Sequence, residues 1–236
     1  MSDCPQGKIR NPATGRCVKI DGAIGRKLTK TTKRAKTPKR TNIRKKREDL
    51  TVYIKKILGI MHPDLRIYKN TLMKINIMLA ATADRIATFS VHFSEEDKKA
   101  TVDISHVQKA INAVLPTGLA RFVNSRIGLR PSLNPGFHKT ASGDIEYVLP
   151  SINPTQDSLE IPVEISEKFF SYHKGDPTMS AKIAFSAVIE YLCAEITELA
   201  GNACKVDMKS TVSIQHLYDA IKTDVELDSM FSIFYG

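Results

Sequence analysis

No arginine follows Arg130 in a chain of 236 residues that carries 35 lysines and arginines against 25 acids. Charge is therefore unevenly placed. From Met1 to Arg47 there are 16 Lys or Arg against Asp3 and Asp21, while from Ser151 onward six lysines face 13 acids. The net +10 belongs to an N-terminal arm, and the later half, read alone, lacks the charge of a nucleic-acid binder. The stretch TTKRAKTPKRTNIRKKR, Thr31 to Arg47, has too little apolar content to fold alone. It is expected to be disordered until it meets a polyanion, with nucleic acid the natural one.

Other absences narrow the class further. No apolar stretch approaches the ~18 residues of a membrane span, and MSDCPQGKIR has no cleavable signal pattern. With only four cysteines, this predicts an intracellular protein without disulfides. Cys4 and Cys17 have no third cysteine or histidine near them before His62, so no metal site is expected. There is no phosphate-loop motif, no clustered set of metal ligands and no serine, histidine and acid set that the sequence brings together. Neither an enzyme nor a cofactor is expected.

Proline is missing between Pro63 and Pro116 and after Pro177. Because proline breaks helix interiors, both stretches have room for one long helix and a short one after it. The two stretches also match. TVDISHVQKAI at Thr101 to Ile111 returns as TVSIQHLYDAI at Thr211 to Ile221, six of eleven positions being identical at an offset of 110. Upstream, Ile75, Met78, Leu79, Ile86 and Phe89 align with Phe185, Val188, Ile189, Ile196 and Leu199 at that same offset. The chain reads as two copies of one supersecondary unit.

In the first copy a short helix has Leu50, Ile54, Ile57 and Leu58 inward and closes near Gly59 and His62-Pro63-Asp64. A long helix from about Lys69 to Ser94 and a short one from Ile104 to Leu115 follow. In the second copy VEISEKFFSY starts at Pro162, Ser180 to about Lys205 is long, and Ile214 to Lys222 is last. Short, long, short is the plan of the histone fold. Apolar residues cover more than one face of each long helix, so each copy needs a partner, and the other copy can supply it through the head-to-tail pairing that the resemblance to the histone fold implies. Arg126 to Ser158, with four prolines and three glycines, reads as an irregular connection.

The residues carry a family resemblance. KKREDLTVYIKKILGIMHPDLRI, KINIMLAATADRIA and KKATVDISHVQKAINAVLPTGLA are similar to histone 2B from Glu48 to Ser125. IPV at Ile161 to Val163, VIEYLCAEITELAGNA and AIKTDVEL resemble histone 2A. A 2B half followed by a 2A half resembles the histone doublets of large DNA viruses of the marseillevirus type. CPQGKIRNPATGRCVKIDGAIGRKL resembles a two-cysteine adaptor segment of such viruses. The resemblance implies an all-α fold: two histone folds in an intramolecular handshake pseudodimer behind a disordered basic tail. Its parts are a tail at 1–47, a 2B-like fold at 48–128, a linker at 129–158 and a 2A-like fold at 159–236.

The implied function is structural: wrapping double-stranded DNA without sequence specificity, together with a histone 4–3 doublet or equivalent, within a nucleosome-like octamer. The implied location is the virion and the host nucleus or viral factory. A histone-fold regulatory module, reading a DNA sequence, is the alternative. DNA is expected at Ile67, Tyr68 and Lys69 in one loop of the first half and at Lys98, Lys99 and Thr101 in the other. Lys45, Lys46 and Arg47 are expected to meet it where the arm leaves the core. The second half departs from the family there. Glu164 stands where the family has arginine, Thr211 replaces the second loop's arginine, and the first loop is shorter. Lys174, Lys182, Lys205, Lys209 and Thr211 itself remain as candidates, and DNA should be held less firmly on that side.

On a helical wheel Glu190, Glu195 and Glu198 fall on one side, opposite Ile189, Leu192, Ile196 and Leu199. They are expected to face outward. With Asp224 and Glu226 they match the family's acidic patch, a landing surface for arginine-bearing partners. Val225, His106 and Gly118 occupy positions where the family is acidic, so the patch is expected to be reduced. His106 and His216, equivalent in the repeat, are expected to make structural hydrogen bonds. Cys193 and Cys204 are expected to be small core or flank residues.

Overall fold

The computed structural model describes residues 4, 5, 7–10, 16–19, 21, 48–128, 136–139, 145–148 and 159–235. The expected disorder of the basic arm at 22–47 lies outside the described residues. The chain divides into two compact units, Met1–Lys46 and Arg47–Gly236.

In the first unit β1 (Lys8–Arg10) pairs antiparallel with β2 (Cys17–Lys19), Arg10 lying opposite Cys17. The amide of Lys8 donates to the carbonyl of Pro5, and this turn brings Cys4 back beside Cys17. A disulfide joins them across a Cα–Cα distance of 5.8 Å, inside the range that geometry allows. The expectation of no disulfide, which rested on the intracellular reading, is therefore wrong for this pair: a hairpin brings together two cysteines thirteen residues apart. Cys193 and Cys204 are free and buried.

In the second unit, α1 (Thr51–Met61), β3 (Arg66–Ile67), α2 (Lys69–Glu96) and α3 (Ile104–Val114) form the first half. A further helix, α4 (Thr117–Gly128), follows Pro116. The second half repeats the plan with α5 (Val163–Tyr172), α6 (Met179–Val206), β6 (Thr211–Val212) and α7 (Ile214–Thr223). It continues into α8 (Val225–Phe231) and a 3-10 turn at Ser232–Phe234. Between the halves, β4 (Gly136–Lys139) pairs antiparallel with β5 (Ile145–Val148). The connection is thus not wholly irregular: the runs GFHK and IEYV are rich enough in aromatic and β-branched residues to pair, which the surrounding prolines and glycines hid.

The halves share one core. Beyond each long helix packing on the short helices of its own half, α1 lies on α6, α5 lies on α2, and the two long helices touch. Ile54, Ile57, Ile75, Met78, Leu79 and Ile86 from the first half and Phe169, Phe170, Phe185, Val188, Leu192 and Ile196 from the second belong to a single buried cluster. Phe185 stacks obliquely on both Phe169 and Phe170, at 5.7 and 5.1 Å between centroids. Burying a side chain of this size stabilises by about 1.5–3 kcal/mol, so neither half keeps its core without the other.

Equivalent devices recur in the repeat. The Nδ1 of His106 accepts from the Asp103 amide at 2.8 Å, and the Nδ1 of His216 accepts from the Ser213 amide at 3.1 Å. Each ring therefore carries its proton on Nε2, which lies 3.2 Å from a carboxylate oxygen, of Asp97 and of Asp207 respectively. A histidine here fills the role that Glu or Gln has in a capping box.

His62 joins the halves at the end of α1. Its Nε2 donates to the carbonyl of Glu198 at 3.1 Å, and its ring lies so close to Gly201 that a Cβ there would come within 2.1 Å of it. Nδ1 is buried and has no hydrogen-bond partner among the described residues. Burial, followed by the charge of Lys205, holds its pKa below the ordinary value, against the opposing effect of the Glu198 carbonyl. The unfolded chain takes up this proton first, so stability is complete above about pH 6.5 and falls as pH drops below it. Thermal unfolding followed from pH 7.5 to 5 should show this acid-side loss in the wild type and a shallower one in His62→Gln. Gly201→Ala should lower the melting temperature at every pH, through overpacking worth about 1–3 kcal/mol.

Candidate nucleic-acid interface and acidic surface

The loops that follow and precede the long helices pair crosswise. At one end β3 of the first half runs parallel to β6 of the second, with Arg66 opposite Thr211 and Ile67 opposite Val212. At the other end Val102 of the first half bridges Pro177 of the second. Each end is therefore a hybrid of one loop from each half. Thr211 lies in one of these bridged loops, whereas Glu164 lies in the first turn of α5.

One end holds Ile67, Tyr68, Lys69, Lys205, Lys209 and Thr211. Tyr68 is 56% exposed at the N-cap of α2, and Lys69, Lys205 and Lys209 are exposed, whereas Ile67 packs against the core. Tyr68, Lys209, Ser210, Thr211, Ser213 and His216 line an open cavity of about 260 Å³. The other end holds Lys98, Lys99, Thr101, Lys174 and Lys182. Here the cations are partly engaged: Lys99 bonds Asp103 at 3.1 Å, and Lys182 pairs with Glu167. Lys45, Lys46 and Arg47 lie outside the described residues. Glu164 is exposed in the first turn of α5.

Lys98 and Lys174 have φ of 53° and 59°, the left-handed region that glycine prefers. Both occupy the position just past a helix C-cap. The Lys98 and Lys99 amides donate to Glu95 and Ser94, and the Lys174 and Gly175 amides donate to Ser171 and Phe170. This is the Schellman pattern. A lysine held there is turned out into solvent beside the bridged loops, at a cost of roughly 1–2 kcal/mol in backbone strain.

The expectation that three glutamates face outward fails for Glu190. It is fully buried, and its Oε2 accepts from the Ile161 amide at 2.7 Å. The wheel placed it on the polar side correctly, but the returning connection covers that side at this level. Lys56 of α1 reinforces the closure with an ion pair to Glu160 at 2.5 Å. The first half has its own version, in which Asn76 Oδ1 accepts from the Leu50 amide at 2.7 Å.

Glu195 and Glu198 are half-buried, and burial raises the pKa of both, Glu195 further through the charge of Glu198. Glu195, Asp224 and Glu226 line a cavity of about 250 Å³ with Leu119, Phe122, Tyr191 and Leu227. Asp224 also caps α8, its Oδ1 accepting from the Glu226 and Leu227 amides at 2.9 and 2.8 Å. Gly118 gives Glu226 its room: a Cβ at 118 would lie 2.2 Å from Glu226 Oε1. The glycine that removes one family carboxylate thus admits another. His106 is fully buried and reaches no surface.

Two contributors escaped the sequence reading. Phe122 stacks on Tyr191 at 5.4 Å and walls the acidic cavity, because α4, which carries it, was not foreseen beyond Pro116. Arg66 stands exposed in β3, and its only sequence signal is its place between the apolar Leu65 and Ile67.

No family model matches the chain. It is similar to a histone doublet of the 2B–2A kind from Melbournevirus, with 25% identity over 189 residues, covering 79% of this chain and 67% of that protein. A histone 2B variant from Dictyostelium discoideum is 23% identical over 193 residues, 76% of this chain and 84% of that one. A histone 2A from Plasmodium falciparum is 44% identical over 52 residues, 22% of this chain and 39% of its own. Over most of its length the chain thus resembles a fused histone doublet. A histone doublet is a structural protein and not an enzyme, and its two folds stand here in the order 2B-like, then 2A-like.

Removing the buried acceptor on α6 leaves the Ile161 amide unpaired. Glu190→Ala should therefore destabilise the doublet by about 1–3 kcal/mol in a denaturant titration. Glu190→Gln, which keeps an oxygen there, should lose less, and Glu195→Ala, at a half-buried position that holds no backbone amide among the described residues, should change stability by less than Glu190→Ala.

Proposed function

We propose that the doublet is a structural chromatin protein that joins a histone 4–3 doublet or its equivalent and wraps double-stranded DNA in a nucleosome-like octamer. The observation that carries this reading is the crosswise pairing of loops, which collects cations from both halves at each end: Lys69, Lys205 and Lys209 at one, Lys98, Lys99 and Lys174 at the other. Helix N-termini at Lys69 and Met179 adjoin these loops, and their first-turn amides, other than those of Thr71 and Ala181 that already donate to the Asn70 and Thr178 side chains, favour phosphate. The basic arm adds sequence-independent attraction. The virion and the host nucleus or viral factory are the proposed locations, and no described helix is long and apolar enough to cross a membrane.

The hybrid ends revise how DNA is held. The Thr211 end lacks an arginine that the family resemblance sets there, and at the Val102–Pro177 end Lys99 and Lys182 are paired with carboxylates, so both DNA contacts are weakened moderately. Micrococcal nuclease digestion of long DNA, mixed with this doublet and a 4–3-type doublet, should leave a discrete fragment shorter than the ~147 bp of a standard core particle. The doublet alone should leave a smear. A discrete fragment from the doublet alone, or strong preference for one DNA sequence, would sink the wrapping reading and favour the regulatory one.

Glu195 and Glu198, with Asp224 and Glu226, form the proposed landing surface for arginine-bearing partners. Charge reversal at Glu195 and Glu198 should abolish capture of an arginine-anchored peptide at neutral pH. Since both carboxyls have raised pKa values, capture by the wild type should weaken on mild acidification before ordinary carboxylates titrate. Binding that is indifferent to both changes would leave an ordinary solvated face.

A further inference from the structure

Position 211 is a threonine where the family resemblance sets an arginine, and the structure places an arginine directly across from it. In the parallel pair of β3 and β6, Arg66 lies opposite Thr211 and Ile67 opposite Val212. Backbone bonds run from the Arg66 amide to the Ser210 carbonyl at 2.9 Å and from the Tyr68 amide to the Val212 carbonyl at 3.1 Å, which fixes this register. Leu65 and Ile67 pack against the core and Val212 is buried. Strand alternation then turns Arg66 and Thr211 outward on one edge. Tyr68, Lys69 and Lys209 stand exposed beside them. The Arg66 side chain is exposed and makes no hydrogen bond or ion pair among the described residues. By contrast, Lys99 and Lys182 at the other end are each matched to a carboxylate.

We infer that Arg66 is the DNA-contacting guanidinium of this end, supplied across the strand pair in place of the arginine that position 211 lacks. The inference rests on the wrapping function proposed above. A guanidinium is planar and more weakly hydrated than an ammonium, and it enters the minor groove or grips a phosphate with two donors. Lys69 and Lys209, flanking it, offer only point charges. The missing arginine has thus moved from one half of the doublet to the other without leaving the interface, because the crosswise bridge makes the two loops neighbours. This also separates the two ends. The described cations named at the Val102–Pro177 end, Lys98, Lys99, Lys174 and Lys182, are lysines, so the two DNA contacts differ in chemistry.

The test uses the full chain and a duplex of random sequence, with affinity measured across a salt series. Arg66→Ala should weaken binding and lower the slope of log affinity against log salt by about one. Arg66→Lys should keep the slope but not the full affinity. Thr211→Arg placed in the Arg66→Ala background should restore both. Arg66 is exposed, so the melting temperature should be unchanged in each variant. Arg121→Ala, on the surface of α4, controls for general charge loss. An unchanged slope and affinity in Arg66→Ala, while Lys209→Ala lowers both, would overturn the inference and leave the wrapping function standing. Failure of Thr211→Arg to rescue would also overturn it. A flat salt response of the wild type would instead remove the proposed function itself.

Discussion

The joint burial of the two long helices is the constraint on which everything else rests. Neither α2 nor α6 has a single apolar stripe. Ile75, Met78, Leu79 and Ile86 on one, and Phe185, Val188, Leu192 and Ile196 on the other, have at most 1% exposure in one shared cluster. Such a helix cannot be half of a stable monomer, since it leaves apolar surface in water on whichever face its own short helices fail to cover. Fusion makes the partner intramolecular, and the encounter no longer depends on protein concentration.

Joint burial dictates the functional surface. Because α1 lies on α6 and α5 on α2, the loop before one long helix meets the loop after the other. The short parallel bridges that result are the reason that cations from opposite ends of the sequence come together. They also explain why each end draws on both halves, and why Arg66 is a neighbour of Thr211 although 145 positions apart.

Small buried polar contacts then select this arrangement over other compact ones. Asn76 and Glu190 each hold the amide just ahead of a short helix, and His106 and His216 each brace the start of the last helix of their repeat against an aspartate. Each of these groups would be costly to bury unpaired, so register errors are penalised at several points along both long helices. His62 against Gly201 adds a contact that only the correctly paired halves allow.

The sequence by itself determined the helical periods, the internal repeat and the need of each copy for a partner, since spacing of apolar residues and proline are local properties of a helix. Boundaries followed within a few residues, as at Thr51–Met61 and Val163–Tyr172. Only the tertiary structure decided which polar residues stay in water. Glu190, Glu195 and Glu198 share one side of a wheel, yet a returning backbone covers the first and spares the others. The wheel knows the helix axis and nothing of what passes over it. The same holds for the cysteine pair, closed by a hairpin whose strands are three residues each, and for Phe122, whose helix begins just past a proline that read as a stop. Arg66 was legible only as an exposed residue between two apolar ones. Its meaning required the other half of the chain laid beside it, because contact between distant segments is set by packing and not by sequence order.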